Sequence, residues 1–354
     1  MKKISLVLLI AMFVTVLSGC AISINGKKVV SFNEDRKGFE WPAGNNVAEK
    51  SEVKEQDVES QNRINVSNAT GKIEFKVWDK NLVQVTSHKK IRAGGDKAKL
   101  DKLLDEIKVE VQKGSNNIDV NVRYINGMWG LNNQSVELEI MVPKGMTYIK
   151  AHSASGEIKI DNFNDIERLD LSSVSGDVEV KNTTTDEFEF GTTSGSVNID
   201  KVTGNGSIHT VSGEINVRNI VGDVKYKTTS GSIQSRGVEG EADVTTVSGS
   251  IDIFSNYFKA SEIHSTSGSV NIHADKIDNS GRYTINSISG GINIRLPQES
   301  GFELDASSTS GNIRNDFSNE FDGDIGKKSM NGVVGAGGAE IEIHTVSGGI
   351  NIMK

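Results

Sequence analysis

The chain of 354 residues has a single cysteine, Cys20, so no disulfide can form within it. An exported domain without a disulfide must be held by its own core. There is no basic cluster, and the formal net charge is −8. Such a chain is a poor match for nucleic acid or for an anionic membrane surface. The opening apolar run, Ile4 to Leu17, has fourteen residues, short of the ~20 that a helix needs to span a bilayer. The glycine-rich stretch Gly335-Ala336-Gly337-Gly338 lacks the Asp of a calcium-binding nonapeptide, and no Gly-Lys-Ser/Thr follows it, which argues against calcium and phosphate sites of those kinds.

What is present is a repeat. Ten Ser-Gly dipeptides place glycine at Gly156, Gly176, Gly195, Gly213, Gly231, Gly249, Gly268, Gly290, Gly311 and Gly348. Successive gaps are 20, 19, 18, 18, 18, 19, 22, 21 and 37 residues, the last close to two periods. A fixed period in this range signals stacked repeats. Counting from glycine as zero, −3 is always Ser or Thr, −5 is always apolar and +2 is always Ile or Val. Position +4 is Ile or Val except at Ser235 and Asn315. Period-2 spacing reads as strands. One strand carries −5, −3 and −1 on a face, and the next carries +2 and +4. Alternation fails at Ser-Gly, so the chain turns a corner there, with glycine supplying backbone freedom and the serine hydroxyl a hydrogen bond. Gly204, Gly222 and Gly240 mark a second turn, and Val202, Ile220 and Val238 a third apolar column.

Two or three strands per coil and no helix predict an all-β fold, a single-stranded parallel β-helix (β-solenoid) of ten or eleven rungs. Rungs about 4.8 Å apart make a rod of roughly 50 Å. The chirality of parallel crossovers favours right-handed winding.

The front of the chain differs. Lys2 and Lys3, the apolar run and Leu17-Ser18-Gly19-Cys20 read as a secretion signal over 1–19. The last four residues resemble the bacterial lipobox, which implies lipidation of Cys20 and an extracytoplasmic location. Residues 20–62 then read as the lipidated Cys and a flexible tether, with a short strand near Val29-Val30-Ser31-Phe32 as the other reading. Residues 63–150 form a less regular β-rich section that is expected to cover the open N-terminal end of the solenoid. Its Thr70-Gly71-Lys72-Ile73-Glu74-Phe75 looks like a degenerate first coil. Leu100, Leu103, Leu104 and Ile107 predict one helix, started at Gly95-Asp96. Residues 151–354 are the solenoid proper, whose last rung has little chain left to cover it.

Taken together these residues resemble the bacterial putative adhesin family of β-strand-repeat domains over roughly 60–354. The likeness rests on the lipobox, Ile73-Glu74-Phe75, Val136 to Gly145, the Thr-Val-Ser-Gly and Thr-Ser-Gly turns, and Leu296-Pro297 followed by Gly301-Phe302-Glu303-Leu304. It implies a β-strand-repeat fold and no catalytic residues.

Chemistry is sparse. His152, His209, His264 and His344 share position −4, but His152, His209 and His264 fall three rungs apart, so roughly 14 Å separates neighbours. A metal needs donors about 2 Å away, so these read as surface histidines, with no cofactor or metal implied. Carboxylates do not recur in pairs on adjacent rungs, as a glycan-cleaving site requires. Column −2 (Ala154, Val174, Thr193, Val211, Thr229, Val247, Thr266, Ile288, Thr309, Val346) is β-branched after Ala154. If it faces out, Val174, Val211, Val247, Ile288 and Val346 line a strip for a polymer, a protein or a second copy; otherwise they merely suit a pleated surface. The expectation is a lipid-anchored binding or structural element of the cell envelope and not an enzyme. Its partners would be the membrane, through Cys20, and an envelope protein or glycan, without nucleic acid. A carbohydrate-active enzyme on the same scaffold and an accessory of an envelope-stress sensor are the alternatives.

Overall fold

A computed structural model of the chain describes residues 21–24, 27–31, 45–94, 96–125 and 133–354. The solenoid is there: two ladders of parallel strands run side by side along the molecule. The first ladder begins with Asn117–Arg123, then Arg63–Asn68, Tyr148–Ser153 and Ile166–Ser173. It continues through the ends of Val178–Thr192 and Val197–Thr210, Val224–Thr228, the end of Ile233–Thr246, Tyr257–Ser265 and Arg282–Ser287. It closes with Ala339–Thr345 and Phe302–Ser308. Those are twelve strands, one per coil, so the rod is longer than the ten or eleven rungs expected, roughly 55 Å at 4.8 Å per coil. The twelfth coil is contributed by Asn117–Arg123 and Gln134–Pro143, which alternate correctly but carry no Ser-Gly signature.

Positions −5, −3, +2 and +4 point inward and are buried in the regular coils, apart from half-buried Asn315. Val202, Ile220 and Val238 stack as the third column, in register and buried. The two expected roles at the Ser-Gly corner are both reassigned. The serine at −1 is exposed rather than on the inner face. It is the −3 hydroxyl that caps the corner, accepting from the glycine N–H in every repeat, as in Thr192 from Gly195 at 3.1 Å and Ser287 from Gly290 at 2.9 Å. The same hydroxyl often donates to the glycine carbonyl of the neighbouring coil, as Thr192 does to Gly176 and Ser308 to Gly348. Nor do these glycines occupy the left-handed region. They are required by crowding: a Cβ on Gly213 would lie far closer than 3.0 Å to the carbonyl oxygen of Gly195, and the same holds from coil to coil along the file. Left-handed backbone is placed instead at a second corner, position +6. There Asn162, Asn182, Lys201, Asn219 and Gly237 stack with φ of 62°, 46°, 56°, 54° and 71°. Three of the five are Asn and one is Gly, the residues that visit this region most readily.

Both ends break the order of the sequence. At the N-terminal end the coil made by 117–143 lies outside the coil made by 63–78, and Tyr148–Ser153 stacks on the earlier segment. The outer edges of that end coil pair antiparallel with Lys108–Lys113 and Leu82–Ala93, and Asn46–Asp57 lies beyond. Cross-pairing in this direction ends the parallel template, so the section covers the open end as expected. The strand Asn46–Asp57 also shortens the tether expected over 20–62, because its pairing with Leu82–Ala93 uses residues that read as unpatterned and polar. Within that span Lys27–Ser31 pairs with Ala21–Ile24; Phe32 lies outside the described residues.

The helix forms at Lys97–Glu106, with Asp96 as N-cap accepting from the Lys99 N–H at 2.8 Å, and it buries Leu100, Leu103 and Leu104. Lys89, buried beneath it, donates to the Ile107 carbonyl at the helix C-terminus at 2.8 Å and to Glu52 at 2.6 Å. That places a cation where the helix dipole favours one.

At the other end the last coil in sequence is not the last in space. Ala339–Thr345 and Ile350–Met353 insert between the coil of Gly290 and the coil of Gly311. The terminal coil is therefore 302–315. It is covered by the hairpin Phe321–Ile325/Ser329–Val334, laid antiparallel on Phe302–Ser308. The outermost strand carries Asp322 and Asp324 and is largely exposed, the charged kind of edge that resists strand addition.

One exception in the +4 column has a partner. Ser235 is buried, and its hydroxyl lies 3.2 Å from that of buried Tyr226. Tyr226 is the only tyrosine in the −5 column, so the polar residue on one wall answers the polar residue on the other. Tyr226→Phe or Ser235→Val alone should cost about 1–2 kcal/mol, because each leaves a buried hydroxyl unpaired. The double variant should lose clearly less than the sum, read by urea unfolding. Additive losses would show that the pair is uncoupled.

Candidate functional site

With both ends closed, the accessible surface of the rod is its sides, where each outward position forms a column with one side chain per coil. The −2 strip lies on the outside. Val174, Val211 and Val247 are half-buried, whereas Ile288 and Val346 are 53% and 47% exposed. The sequence alternates aliphatic and Thr along this column, which would separate Ile288 from Val346 by Thr309. Insertion of the last coil instead seats Val346 beside Ile288, with the Val346 N–H bonded to the Ser287 carbonyl. Thr309 is displaced to the terminal coil. The most exposed apolar pair of the strip is thus made by tertiary structure. Cys20 lies outside the described residues.

The −4 histidines remain on separate coils. His152 meets Ser172, His264 lies 2.9 Å from Glu262, and His344 lies 2.8 Å from Ser307. Among the described residues no three His, Cys, Asp or Glu side chains are grouped to hold a metal ion. His209 is set apart by its neighbour: its ring lies over Gly191, in the space a side chain there would fill. Burial against that coil holds its pKa below the usual 6.5, with Glu189 and Asp170 pulling the other way.

Two columns that the sequence reading passed over lie at +3 and +5 on the outer face of the second ladder, which is formed by the strands that follow each Ser-Gly corner, from Ile158–Asp161 to Ile350–Met353. Position +3 aligns Asn198, Asn216, Gln234, Asp252, Asn271, Asn293 and Asn351. Amides bond coil to coil, from Asn216 to Asn198 at 3.1 Å, and at 2.7 Å from Asn271 to Asp252, Asn293 to Asn271 and Asn351 to Asn293. The signal was available as Asn recurring three residues after Ser-Gly. Beside it, +5 aligns Arg218, Arg236, Phe254, His273 and Arg295. This column mixes residue types, so no recurrence betrays it.

The molecule is a parallel β-solenoid with closed ends and repetitive side faces. Residues 61–239 and 203–353 match the model of the Toastrack DUF4097 family, and the chain belongs to that family. No curated protein matches it. Among solved structures it is similar to a putative cell adhesion protein from Clostridium sporogenes, at 14% identity and a TM-score of 0.25, over 86% of this chain and 99% of that one. A putative adhesin from Parabacteroides distasonis aligns at 13% identity and a TM-score of 0.37, over 86% and 97%. A putative lipid binding protein from the same organism aligns at 15% and 0.41, also over 86% and 97%. Likeness at that level adds nothing to what the ladders establish.

Two outcomes follow from these columns. Replacing Val211, Val247 and Ile288 with Lys should weaken any association through the −2 strip without unfolding the rod, as read by light scattering and circular dichroism; unchanged association would remove the strip as a site. For His209, the folded chain resists protonation that the unfolded chain accepts. Its contribution to stability is therefore present above about pH 6.5 and is lost as pH falls through the lower folded value. His209→Ser, the residue found at −4 in other coils, should flatten the decline in melting temperature below pH 6.5; an unchanged slope would assign the acid sensitivity elsewhere.

Proposed function

We infer that the chain is a lipid-anchored, extracytoplasmic β-solenoid that acts by binding at the cell envelope rather than by catalysis. The observation that carries this reading is the closure of both ends. Antiparallel strands cover the outer coil at each end, so the long sides, with their columns of stacked side chains, are what the rod offers to a partner. Flat, repetitive, solvent-facing columns suit a polymer or an extended protein surface. No helix among the described residues is long and apolar enough to cross a membrane, and the anchor in this reading is lipid on Cys20. The partner is an envelope glycan or protein.

The test has two arms. Cells labelled with palmitate should incorporate it into the full chain and not into Cys20→Ser; equal labelling of both removes the lipid anchor. The purified chain is then screened against envelope glycans and envelope proteins. Retention without product release supports binding. Release of shortened glycan would make the protein an enzyme, and retention of nothing in the screen would overturn the binding role.

A further inference from the structure

We propose that the outer face of the second ladder, between Arg218 and Arg295, is a binding site for an acidic polysaccharide lying along the rod. This rests on the binding role inferred above and names its site and ligand class.

The first observation is charge without a partner. In a chain of net charge −8, Arg218, Arg236 and Arg295 are exposed on one file and make no ion pair or side-chain hydrogen bond among the described residues. The same face treats its other cations differently. Toward the N-terminal end, Lys159 lies 3.3 Å from Glu179, and Lys181 also pairs with Glu179. Three carboxylates border the file and none is paired with its arginines: Asp200, in register with Arg218 on the neighbouring coil, accepts from Asn219 at 3.4 Å, Asp252 accepts from Asn271 at 2.7 Å, and Asp275 lies 3.4 Å from His273. Planar guanidinium groups with open donors match carboxylate or phosphate oxygens two at a time.

The second observation is aromatic exposure. Among the described residues, Phe254 and Tyr257 are the exposed large aromatics, at 44% and 37%. They flank the turn Ser255-Asn256, where the left-handed +6 corner of the preceding coils gives way. The Arg236 guanidinium sits 5.1 Å from the centre of the Phe254 ring, and the His273 ring stacks on its other side at 5.7 Å. The result is a continuous file of planar groups, Arg236, Phe254, His273, beside an open groove of about 400 Å³ that Arg218, Asn219 and Asn256 also line. An apolar ring on a wet face, fixed by its neighbours, is a platform for the carbon face of a sugar.

The third observation is the spacing. The amide ladder at +3 runs parallel to this file, two residues away on each strand. Sugar hydroxyls need donors and acceptors at regular intervals, and amides supply both. Two coils, about 10 Å, are comparable to a disaccharide, so one polymer chain could meet the same pair of columns repeatedly. Carboxylated and phosphorylated polymers share the chemistry that this site recognises.

The test uses the purified full chain with polygalacturonate, a phosphomannan and neutral dextran, measured by calorimetry at low and high salt. At least one acidic polymer should bind, more weakly as salt rises, and dextran should not. Arg236→Ala/Arg295→Ala should weaken that binding about tenfold, and Phe254→Ala should weaken it at both salt concentrations. Melting temperature should hold in each variant, since the side chains are exposed. Which polymer binds separates carboxylate from phosphate recognition. Unchanged affinity in the variants would place the site elsewhere and overturn the proposal. Failure of the wild-type chain to bind either acidic polymer would overturn it too. In that case, retention of another component in the envelope screen leaves the binding role standing, and retention of none ends both.

Discussion

Everything in this molecule depends on how closely one coil lies on the next at the Ser-Gly corner. The glycine file allows the backbones to touch, and any Cβ there would strike the carbonyl of the neighbouring coil. The −3 hydroxyl then closes the turn by accepting from the glycine N–H. Once that corner is set, the parallel strands on either side are held at hydrogen-bonding distance, and the −5, −3, +2 and +4 side chains pile into one narrow core. The corner thus couples sequence to fold more directly than the aliphatic columns do. Ile and Val can exchange freely there, whereas the glycine cannot change and the hydroxyl position admits only Ser or Thr.

A stack of identical coils has a weakness at its ends, where an unpaired parallel strand would accept any other strand. The chain meets it twice by the same device. At each end a coil is placed out of sequence order, and the exposed outer coil is crossed by antiparallel strands. At the C-terminal end the insertion buries the last residues of the repeat between two earlier coils and leaves a charged hairpin outermost. At the N-terminal end a helix, a buried Lys89 and the strand Asn46–Asp57 complete the cover. These sections are less regular because their task is to differ from the repeat.

The same stacking that builds the core also builds the surface. Every outward position becomes a column of side chains that runs along the rod. This is how an amide ladder and a file of arginine and aromatic groups come to lie side by side, and why a molecule with no clustered catalytic groups among its described residues can still present a defined surface. Charge is distributed unevenly along that face: lysines near the N-terminal end are neutralised by Glu179, while arginines further along remain open.

Sequence alone determined the solenoid, its period, its inward columns and the helix, because period-2 burial and a fixed repeat are local properties written into consecutive residues; it left open whether the −2 strip faces out. It misassigned the corner. Nothing local distinguishes a glycine needed for φ from one needed for clearance, or says which of two nearby hydroxyls faces the turning N–H. It also did not reveal the twelfth coil, the +6 left-handed corner, or the order of the last three coils. Those were decided by tertiary structure. Stacking order depends on which edge each segment meets, and Asn351 on Asn293 or Val346 beside Ile288 are contacts between coils far apart in the chain. The Arg-Phe-His file was hidden for the same reason, since its members share no residue type and become neighbours only when coils are laid one upon another.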